Sequence, residues 1–403
     1  MGVFVPRAAL TQILRISHDS RRAEFLACQG PRSLTAAHIH RSPRWRGVLL
    51  DCCIVRKQED VNPHAISRQI VLASLPSGRL QPHSFRLEYD VMPDLPPGGV
   101  LLRVLYLSLD PSVLGGIYQR KSNVTRVEIG QVVGGENVSE VVASDHPAYT
   151  VGDIVVSCTG WRTHVASDGT GLRKLDASFA SVSTTLGVLG TPGFAAYAGI
   201  TLIGRPKPGE TVVVADASSP IGSLAGQLAK MAGARSVGIG GGVERCRYIQ
   251  GELGFDESID FLTPGLASTL ARLCPDGIDM YFENIGAGPI WLAVLPLLNR
   301  FARVPVCGLE PQLGGAGAAQ GPSRLVETLR EVRSKSLILR GFMNDEFIDS
   351  HYPQFLRTVS AGIAEGRIRY REDITDGLEN APKALIEMLE GRTFGSVLVR
   401  VAA

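Results

Sequence analysis

Residues 69–153 alternate short apolar stretches with turns that are rich in glycine and proline. The first stretch, residues 69–73, predicts a strand, and the segment PSGRLQP (76–82) after it predicts a turn. Comparable turns follow at PDLPPGG, IGQVVGG and YTVGD. Short β segments separated in this way predict a compact, barrel-like β domain.

From residue 187 onward, apolar stretches alternate with longer helical spans. GVLGTPGFAAYAGI and IGSLAGQLAKMAGA have helical character. Strands are predicted at VVVADA, SVGIGGG, FDESIDF, GIDMYFENIG, RFARVPVCG and SLILRGF. This alternation predicts an α/β fold with a parallel sheet covered on both faces, which right-handed crossovers make doubly wound.

The C-terminal tail returns to β character. YREDI (370–374) and SVLVRV (396–401) predict strands, with a helix at residues 382–390 between them. The first domain therefore resumes after an inserted nucleotide-binding-type domain. We predict a β domain from residues 65–186 and 366–403, and the inserted domain at 187–365. The cleft between them is the default ligand site.

Composition is that of an ordinary globular protein, with 44% hydrophobic and 20% charged residues among 403. A net charge of +2 gives no reason to expect a nucleic-acid partner. No apolar run reaches the roughly 18 residues of a membrane span. The basic excess lies in residues 1–57, which hold nine arginines. We interpret residues 1–64 as a disordered extension, with an organellar transit peptide as the alternative.

The cysteines and histidines do not form a recognisable metal site. The seven cysteines are widely spaced or lie in the basic segment, none forms a CxxC pair, and the eight histidines form no His-Glu cluster. This pattern predicts reduced cysteines in a cytoplasmic protein and no zinc.

The stretch VVADASSPIGSLAGQ (213–227) combines a strand, a turn and a helix, as a dinucleotide site does. We predict that Ser219 caps the helix and that Pro220 occupies its first position. Asp216 would repel a phosphate about 5 Å away by roughly 3 kcal/mol per charge at an effective dielectric of about 20, unless its carboxylate points away or acts as a cap. Gly222 and Gly226, one turn apart, allow the helix to approach the sheet closely.

The end of the next strand bears on cofactor choice. Gly240, Gly241 and Gly242 stand where an NAD site has an acidic residue, and Arg245 follows them. An arginine without the acid favours the 2′-phosphate of NADP(H). The alternative is an ordinary surface arginine.

Ten motifs in collinear order, from about residue 67 to 401, together resemble one family. They are LDP, VVASDHPAYTVGD, SDGTGLRKLD, GVLGTPGFAAY, VGIGGGVERCRY, CPDGIDMYFENIG, RVPVCG, RGF, YREDITDGLENAP and FGSVLVRV. The chain resembles the zinc-free medium-chain dehydrogenase/reductase superfamily, close to the NADPH-dependent curcumin reductase and alkenal/15-oxoprostaglandin 13-reductase group.

The resemblance implies a GroES-like β domain, a Rossmann domain and a homodimer that reduces an activated C=C bond of a small molecule. Hydride would pass from NADPH to the β-carbon of an enone, with a hydrogen bond stabilising the developing enolate. Solvent or a tyrosine would protonate the α-carbon. Tyr118 and Tyr197 are the candidates for the enolate hydrogen bond or the proton, and the alternative is that each is a half-buried packing tyrosine.

The resemblance also assigns cofactor positions. Arg245 matches the lysine of the 2′-phosphate site, Asn284 the asparagine beside the nicotinamide ribose, and Thr191 lies in the loop facing the nicotinamide. Cys307 and Gly308 match the strand end beneath it. The full set of cofactor positions is Thr191, Ser218, Ser219, Gly222, Gly241, Arg245, Asn284, Cys307, Gly308 and Phe394.

Several ligand-facing positions depart from the family pattern. The AxxGxxG phosphate loop is Asp216, Ser219 and Gly222 here, and the NFGK segment is TFGS. The third-strand tyrosine is Phe261. In the substrate pocket, Ser112 and Leu114 stand in place of tyrosine and arginine, and the tyrosine of the ISxYN segment is replaced around Leu313.

Three functions are compatible with these departures. The first is an NADPH-dependent reductase for an unusual substrate. The second is a cyclase or isomerase of a natural-product pathway that has lost NADPH and acts through shape complementarity and hydrogen bonds. The third is a non-catalytic binding protein.

Overall fold

The structure, a computed structural model, describes residues 66–118, 126–175, 181–286, 288–308 and 325–402. The predicted extension at 1–64 and Leu313 with its neighbours lie outside these residues. The described strands are β1 (Ile66–Leu72), β2 (Phe85–Val91), β3 (Val100–Leu109), β4 (Asn137–Ser144), β5 (Ile154–Ser157), β6 (His164–Ser167), β7 (Arg173–Lys174), β8 (Thr211–Val214), β9 (Arg235–Gly240), β10 (Glu257–Asp260), β11 (Ile278–Phe282), β12 (Leu298–Val306), β13 (Ile338–Gly341), β14 (Glu372–Asp376) and β15 (Ser396–Arg400).

Nine α-helices lie within the described residues. They are α1 (Val113–Ile117), α2 (Thr191–Tyr197), α3 (Pro220–Met231), α4 (Val243–Arg247), α5 (Leu266–Leu273), α6 (Pro289–Val294), α7 (Leu325–Lys335), α8 (Ile348–Ala364) and α9 (Ala381–Leu389). Helices α2 and α4 continue as π-helical segments, Ala198–Gly204 and Tyr248–Glu252.

The β domain is a seven-stranded sheet in the order β14-β15-β3-β4-β5-β7, with β6 paired to β3. Alternate residues of β3, including Val100, Leu102 and Val104, are fully buried in its core. The YTVGD turn forms as predicted, with Asp153 N donating to Thr150 O at 3.0 Å and Gly152 at φ 92°. Glycine suits this position because side chains disfavour positive φ.

The second sheet has six parallel strands in the order β10-β9-β8-β11-β12-β13. Counted from β8, this is the 3-2-1-4-5-6 order of a Rossmann fold, so the predicted fold class is confirmed. Val212, Val213 and Val214 of β8 are fully buried because helices cover both faces of the sheet. Connections reverse between β8 and β11, which is where such sheets bind ligands.

The tail strands rejoin the first sheet. β15 pairs antiparallel with β3, and β14 pairs parallel with β15. The predicted boundaries of the two domains stay predictions, although the strands of each sheet fall on the expected sides of residues 187 and 365.

Candidate functional site

The turn after β8 is closed by its own side chains. Ser219 is the N-cap of α3: its hydroxyl accepts from Gly222 N at 3.1 Å and donates to Asp216 O at 2.8 Å. Pro220 occupies the first turn. The predicted cap is therefore confirmed, and it uses an N–H that a phosphate would otherwise bind.

Asp216 turns its carboxylate into the same turn. Its Oδ1 accepts from Ser218 Oγ at 2.8 Å and from Ser218 N at 3.3 Å. The carboxylate is thus hydrogen-bonded to Ser218, whereas the helix cap is Ser219 and not Asp216.

Asn284 joins this turn to the end of β11, at the switch point of the sheet. Its Oδ1 accepts from Asp216 N at 3.1 Å, and its Nδ2 donates to Asp216 O at 3.2 Å and to Ser219 Oγ at 3.1 Å. The amide therefore holds two strand ends in register at the predicted nucleotide site.

Glycines allow close backbone contacts around the same point. A Cβ on Gly222 would lie 1.8 Å from Asp216 O, and one on Gly226 would lie 1.9 Å from the ring of Phe255. A Cβ on Gly308 would lie 2.4 Å from Asn284 O. Gly222 and Gly226 thus allow the close packing of α3, and Gly308 allows the backbone after β12 to pass close to the backbone of Asn284.

Two arginines flank the ring of Phe394. The Arg245 guanidinium carbon lies 5.6 Å from the ring centroid and that of Arg371 lies 5.0 Å from it. Arg245 also donates to Thr393 O at 3.1 Å and to Ser218 Oγ at 3.4 Å. Within the described residues, neither arginine forms an ion pair with a carboxylate. Such an uncompensated pair of cations fits a phosphate.

Tyr248 completes this group, with its ring stacked 5.9 Å from that of Phe394. Its hydroxyl is buried and has no hydrogen-bond partner among the described residues. Burial raises the pKa of Tyr248 to about 12, with Glu252 adding to the rise and Arg371 opposing it. Sequence reasoning missed Arg371 and Tyr248, although both lie in motifs that carried the resemblance.

The neighbouring positions are ordinary packing contacts. Gly241 follows β9, and a Cβ on it would lie 3.0 Å from the ring of Phe261, which is largely exposed. The N–H of Gly242 donates to Asp260 Oδ1 at 2.8 Å, so the acidic group nearest the β9 end belongs to β10 and is already bonded.

Glu136 and Thr191 join the two domains across the cleft. Thr191, the first residue of α2, donates from its hydroxyl to Glu136 Oε1 at 3.1 Å. Thr191 O accepts from Asn344 Nδ2 at 3.0 Å. Burial raises the pKa of Glu136, an effect that the Thr191 bond and Arg173 oppose and Asp110 reinforces. Sequence reasoning missed Glu136, which no motif signals.

Cys307 lies at the end of β12 beside a buried carboxylate. Glu283 is 4% exposed and accepts from Ile285 N at 3.1 Å and Gly286 N at 3.0 Å. Burial, and next the charge of Glu283, raise the pKa of the Cys307 thiol to about 12. The thiol is therefore neutral and unreactive near pH 7, and the carboxylate stabilises the loop before α6.

The two candidate tyrosines have different surroundings. Tyr118 donates from its hydroxyl to Gly78 O at 2.8 Å within the β domain. Tyr197 is buried between the rings of Phe194 and Phe355, and burial raises its pKa. Their roles as proton donors stay predictions.

The predicted substrate-pocket residues are spread between core and surface. Ser112 accepts no cap bond in α1, and its N–H donates to Asp110 Oδ1 at 2.7 Å. Leu114 is 1% exposed in the core of the β domain. Leu313 lies outside the described residues. Their pocket roles stay predictions.

In the described ranges, no group of three or more His, Cys, Asp or Glu side chains is arranged to hold a metal ion. No helix in the described part of the chain is both long and apolar enough to cross a membrane.

Comparison with known proteins places both parts of the chain. A family described as the N-terminal domain of oxidoreductase matches residues 68–175, and one described as zinc-binding dehydrogenase matches residues 220–359. Over 336 residues the chain is 45% identical to the NADPH-dependent curcumin reductase of Escherichia coli strain K12, covering 83% of this chain and 97% of that protein.

Two further relatives agree. Prostaglandin reductase 1 of Rattus norvegicus is 36% identical over 322 residues, which are 79% of this chain and 94% of the relative. The crystal structure of CurA from Vibrio vulnificus in complex with NADPH is 41% identical and matches with a TM-score of 0.79, over 83% of this chain and 99% of that one. The similarity thus spans nearly the whole length of each relative.

Proposed function

The chain belongs to the zinc-free medium-chain dehydrogenase/reductase superfamily, in the curcumin and alkenal reductase group, and from this premise we propose that it uses NADPH to reduce an activated C=C bond. When bound, the cofactor supplies a hydride to the β-carbon of an enone or enal. The chain's own residues bind the nucleotide, orient the carbonyl compound and provide a proton.

The observation that carries the proposal is the arginine pair around Phe394. Arg245 stands just beyond β9, where the adenosine ribose of a Rossmann site lies, and Arg371 approaches the same ring from the β domain. Two guanidinium groups without carboxylate partners among the described residues favour a dianionic 2′-phosphate over a ribose hydroxyl. Such a site would bind NADPH, which carries the 2′-phosphate, more tightly than NADH, which lacks it.

The remaining cofactor positions surround the switch point. Asn284 and the Ser219 cap define the turn that the pyrophosphate would approach. Cys307, Gly308 and Thr191 are the positions that the resemblance assigns to the surroundings of the nicotinamide. No described observation favours the cyclase, the isomerase or the binding protein over the reductase, and the reductase accounts for the retained cationic site.

A binding titration tests the proposal. Nicotinamide fluorescence is followed while NADPH or NADH is added to the wild type and to the variants Arg245→Ala and Arg371→Ala. We expect the wild type to prefer NADPH more than tenfold. Each charge-assisted phosphate contact contributes about 1.5 to 3 kcal/mol, so Arg245→Ala should weaken NADPH binding by roughly 10- to 150-fold. Arg371 is exposed, so its loss should have the smaller effect.

Arg247→Ala is the matched control, because Arg247 is exposed on the same helix two residues further along. NADH binding should be unchanged in all three variants. Absence of NADPH binding to the wild type below about millimolar concentration would contradict the reductase. Turnover of a substrate after exhaustive removal of nucleotide would favour the non-redox alternative instead.

We also propose that the chain forms a homodimer in the cytoplasm. Support for the dimer comes from β13, an edge strand whose four residues are all exposed, including Ile338 at 55%. An uncovered apolar edge is disfavoured in a monomer. Support for the location comes from the four free cysteines among the described residues.

A further inference from the structure

The strongest unassigned group in the molecule is the carboxyl of Glu136, which no motif or mechanism above uses. We propose that Glu136 is the acid that protonates the α-carbon of the substrate during the reduction. This inference rests on the proposed function and names the residue that completes it.

The first support is position. Glu136 immediately precedes β4, and its backbone is fixed because its carbonyl accepts from Ser108 N at 2.9 Å. Its side chain leaves the β domain and meets the Thr191 hydroxyl of the inserted domain at 3.1 Å. The carboxyl therefore links the two domains, at the boundary where the sequence predicts the ligand cleft. It also touches the loop expected to face the nicotinamide.

The second support is that one carboxyl oxygen of Glu136, Oε2, has no partner among the described hydrogen bonds. Thr191 engages Oε1 of Glu136, and the described hydrogen bonds leave Oε2 for another partner. Thr191 is itself held, because its carbonyl accepts from Asn344 Nδ2 at 3.0 Å. A carboxyl with one oxygen anchored and the other available is pre-organised to present a proton.

The charged and titratable groups around Glu136, together with its hydrogen-bond partner Thr191, come from five parts of the chain. Asp110 follows β3, Cys158 follows β5, Arg173 lies in β7, Thr191 begins α2 and Tyr352 lies in α8. Arg173 stacks over the Tyr352 ring at 4.8 Å, and the Tyr352 hydroxyl donates to Leu189 O at 2.9 Å.

Burial dominates this balance and raises the pKa of Glu136 above its ordinary value. The Thr191 bond and Arg173 lower the pKa, and Asp110 raises it. Burial, and after it the carboxylate form of Glu136, raise the pKa of Cys158; burial raises the pKa of Tyr352, with Arg173 opposing the rise and the carboxylate form of Glu136 adding to it. The carboxyl therefore keeps its proton to higher pH than a solvated glutamate does, as a general acid requires.

The step is balanced in atoms and electrons. The β-carbon receives the hydride with its electron pair, and the π electrons of the C=C bond shift towards the carbonyl to form an enolate. The O–H bond of Glu136 then breaks, its proton forms the new C–H bond at the α-carbon, and its electron pair remains on the carboxylate. Water in the cleft returns a proton to Glu136. Over the cycle the alkene gains one hydride and one proton, and NADPH is oxidised to NADP⁺.

Glu136→Gln tests the proposal because it keeps the shape and removes the acid. We expect kcat to fall by about 10²- to 10⁴-fold, while the affinity for NADPH stays the same. The wild-type kcat should decline as pH rises through the pKa of Glu136, and this decline should be absent in the variant. Glu140→Gln, at a half-buried position on β4 that pairs with Arg103, is the matched control and should change neither quantity.

Thr191→Val separates catalysis from a structural link between the domains. The Thr191 bond lowers the pKa of Glu136, so removing the hydroxyl should move the decline of kcat to higher pH. A purely structural link would lose activity at every pH without such a shift.

Two readouts do not depend on the rate. In deuterium oxide, the wild type should place deuterium on one face of the α-carbon, and Glu136→Gln should lose that selectivity. In infrared spectra of the resting wild type, a protonated carboxyl band that Glu136→Gln lacks should persist to higher pH than the band of a solvated glutamate.

Glu136→Gln with full kcat, the wild-type pH profile and the same deuterium face would overturn the inference alone. A wild type whose Glu136 carboxyl ionises at the same pH as a solvated glutamate, or lower, would do the same. Failure of the wild type to bind NADPH or reduce any enone would remove the proposed function first, and this inference with it.

Discussion

Ser219→Ala should weaken the fold and strengthen nucleotide binding at once. The Ser219 hydroxyl accepts from Gly222 N at 3.1 Å and from Asn284 Nδ2 at 3.1 Å, and it donates to Asp216 O at 2.8 Å. Loss of a serine N-cap costs about 1 kcal/mol. Asn284 Nδ2 keeps its hydrogen bond to Asp216 O at 3.2 Å, so this group loses only one of its two acceptors. The free energy of unfolding should therefore fall by about 1 to 2 kcal/mol in total.

The gain in nucleotide affinity comes from the Gly222 N–H, which the Ser219 cap occupies in the wild type. In the variant, Gly222 N is free to donate to a phosphate at the helix N-terminus, where the helix dipole adds to the attraction. A hydrogen bond to a charged group contributes about 1.5 to 3 kcal/mol, which corresponds to at least about tenfold tighter NADPH binding.

Thermal unfolding with and without NADPH, together with a fluorescence titration, measures both effects. The apo variant should melt about 2 to 4 °C lower than the wild type, and NADPH should raise its melting temperature more than that of the wild type. Ser223→Ala is the control, since the Ser223 hydroxyl donates to Pro220 O at 3.2 Å on the same helix without capping it. A folded Ser219→Ala protein with weaker NADPH affinity would refute the reasoning, because the hydroxyl would then be a phosphate ligand.

Two further outcomes are expected. Burial raises the pKa of Glu372, so the stability linked to its proton is present at low pH and is lost as pH rises through the raised pKa. Its Oε1 is buried without a hydrogen-bond partner among the described residues. Glu372→Gln should therefore stabilise the protein by about 1 kcal/mol at neutral pH and hardly at all in acid, as measured by thermal unfolding across pH. Ile338→Lys on the β13 edge should halve the mass seen by light scattering, and an unchanged mass would exclude this edge as the dimer contact.

Local patterns were sufficient to predict the α/β sheet and its first turn. The apolar run at β8 and the Ser-Pro pair that follows it are determined by residues adjacent in sequence, and the Ser219 cap formed as expected. Arg245 could be singled out because the strand end before it lacks an acidic residue. These features depend on spacing along the chain.

The features that sequence reasoning missed depend on packing between distant segments. Arg371 reaches Phe394 beside Arg245 only because the tail returns to the β domain. Glu136 meets Thr191 across the two domains, 55 residues along the chain. The direction of the Asp216 carboxylate depends on a side-chain rotamer, which no sequence pattern determines. The Asp216 carboxylate, whose charge argued against a bound phosphate, accepts hydrogen bonds within its own turn.

The closed turn and the arginine pair are two parts of one change in how the nucleotide is held. With Pro220 lacking an N–H and the Gly222 N–H bonded to Ser219, the start of α3 offers fewer donors to a pyrophosphate than a glycine-rich loop would. Under the proposed function the binding energy comes from elsewhere: Arg245 and Arg371 flank Phe394 and would contact the one phosphate that distinguishes NADPH from NADH. Fewer pyrophosphate contacts weaken the binding of both nucleotides equally, whereas the 2′-phosphate contacts alone set the preference for NADPH over NADH. Because partly exposed guanidinium groups are screened by ions, that discrimination should decrease as salt is added.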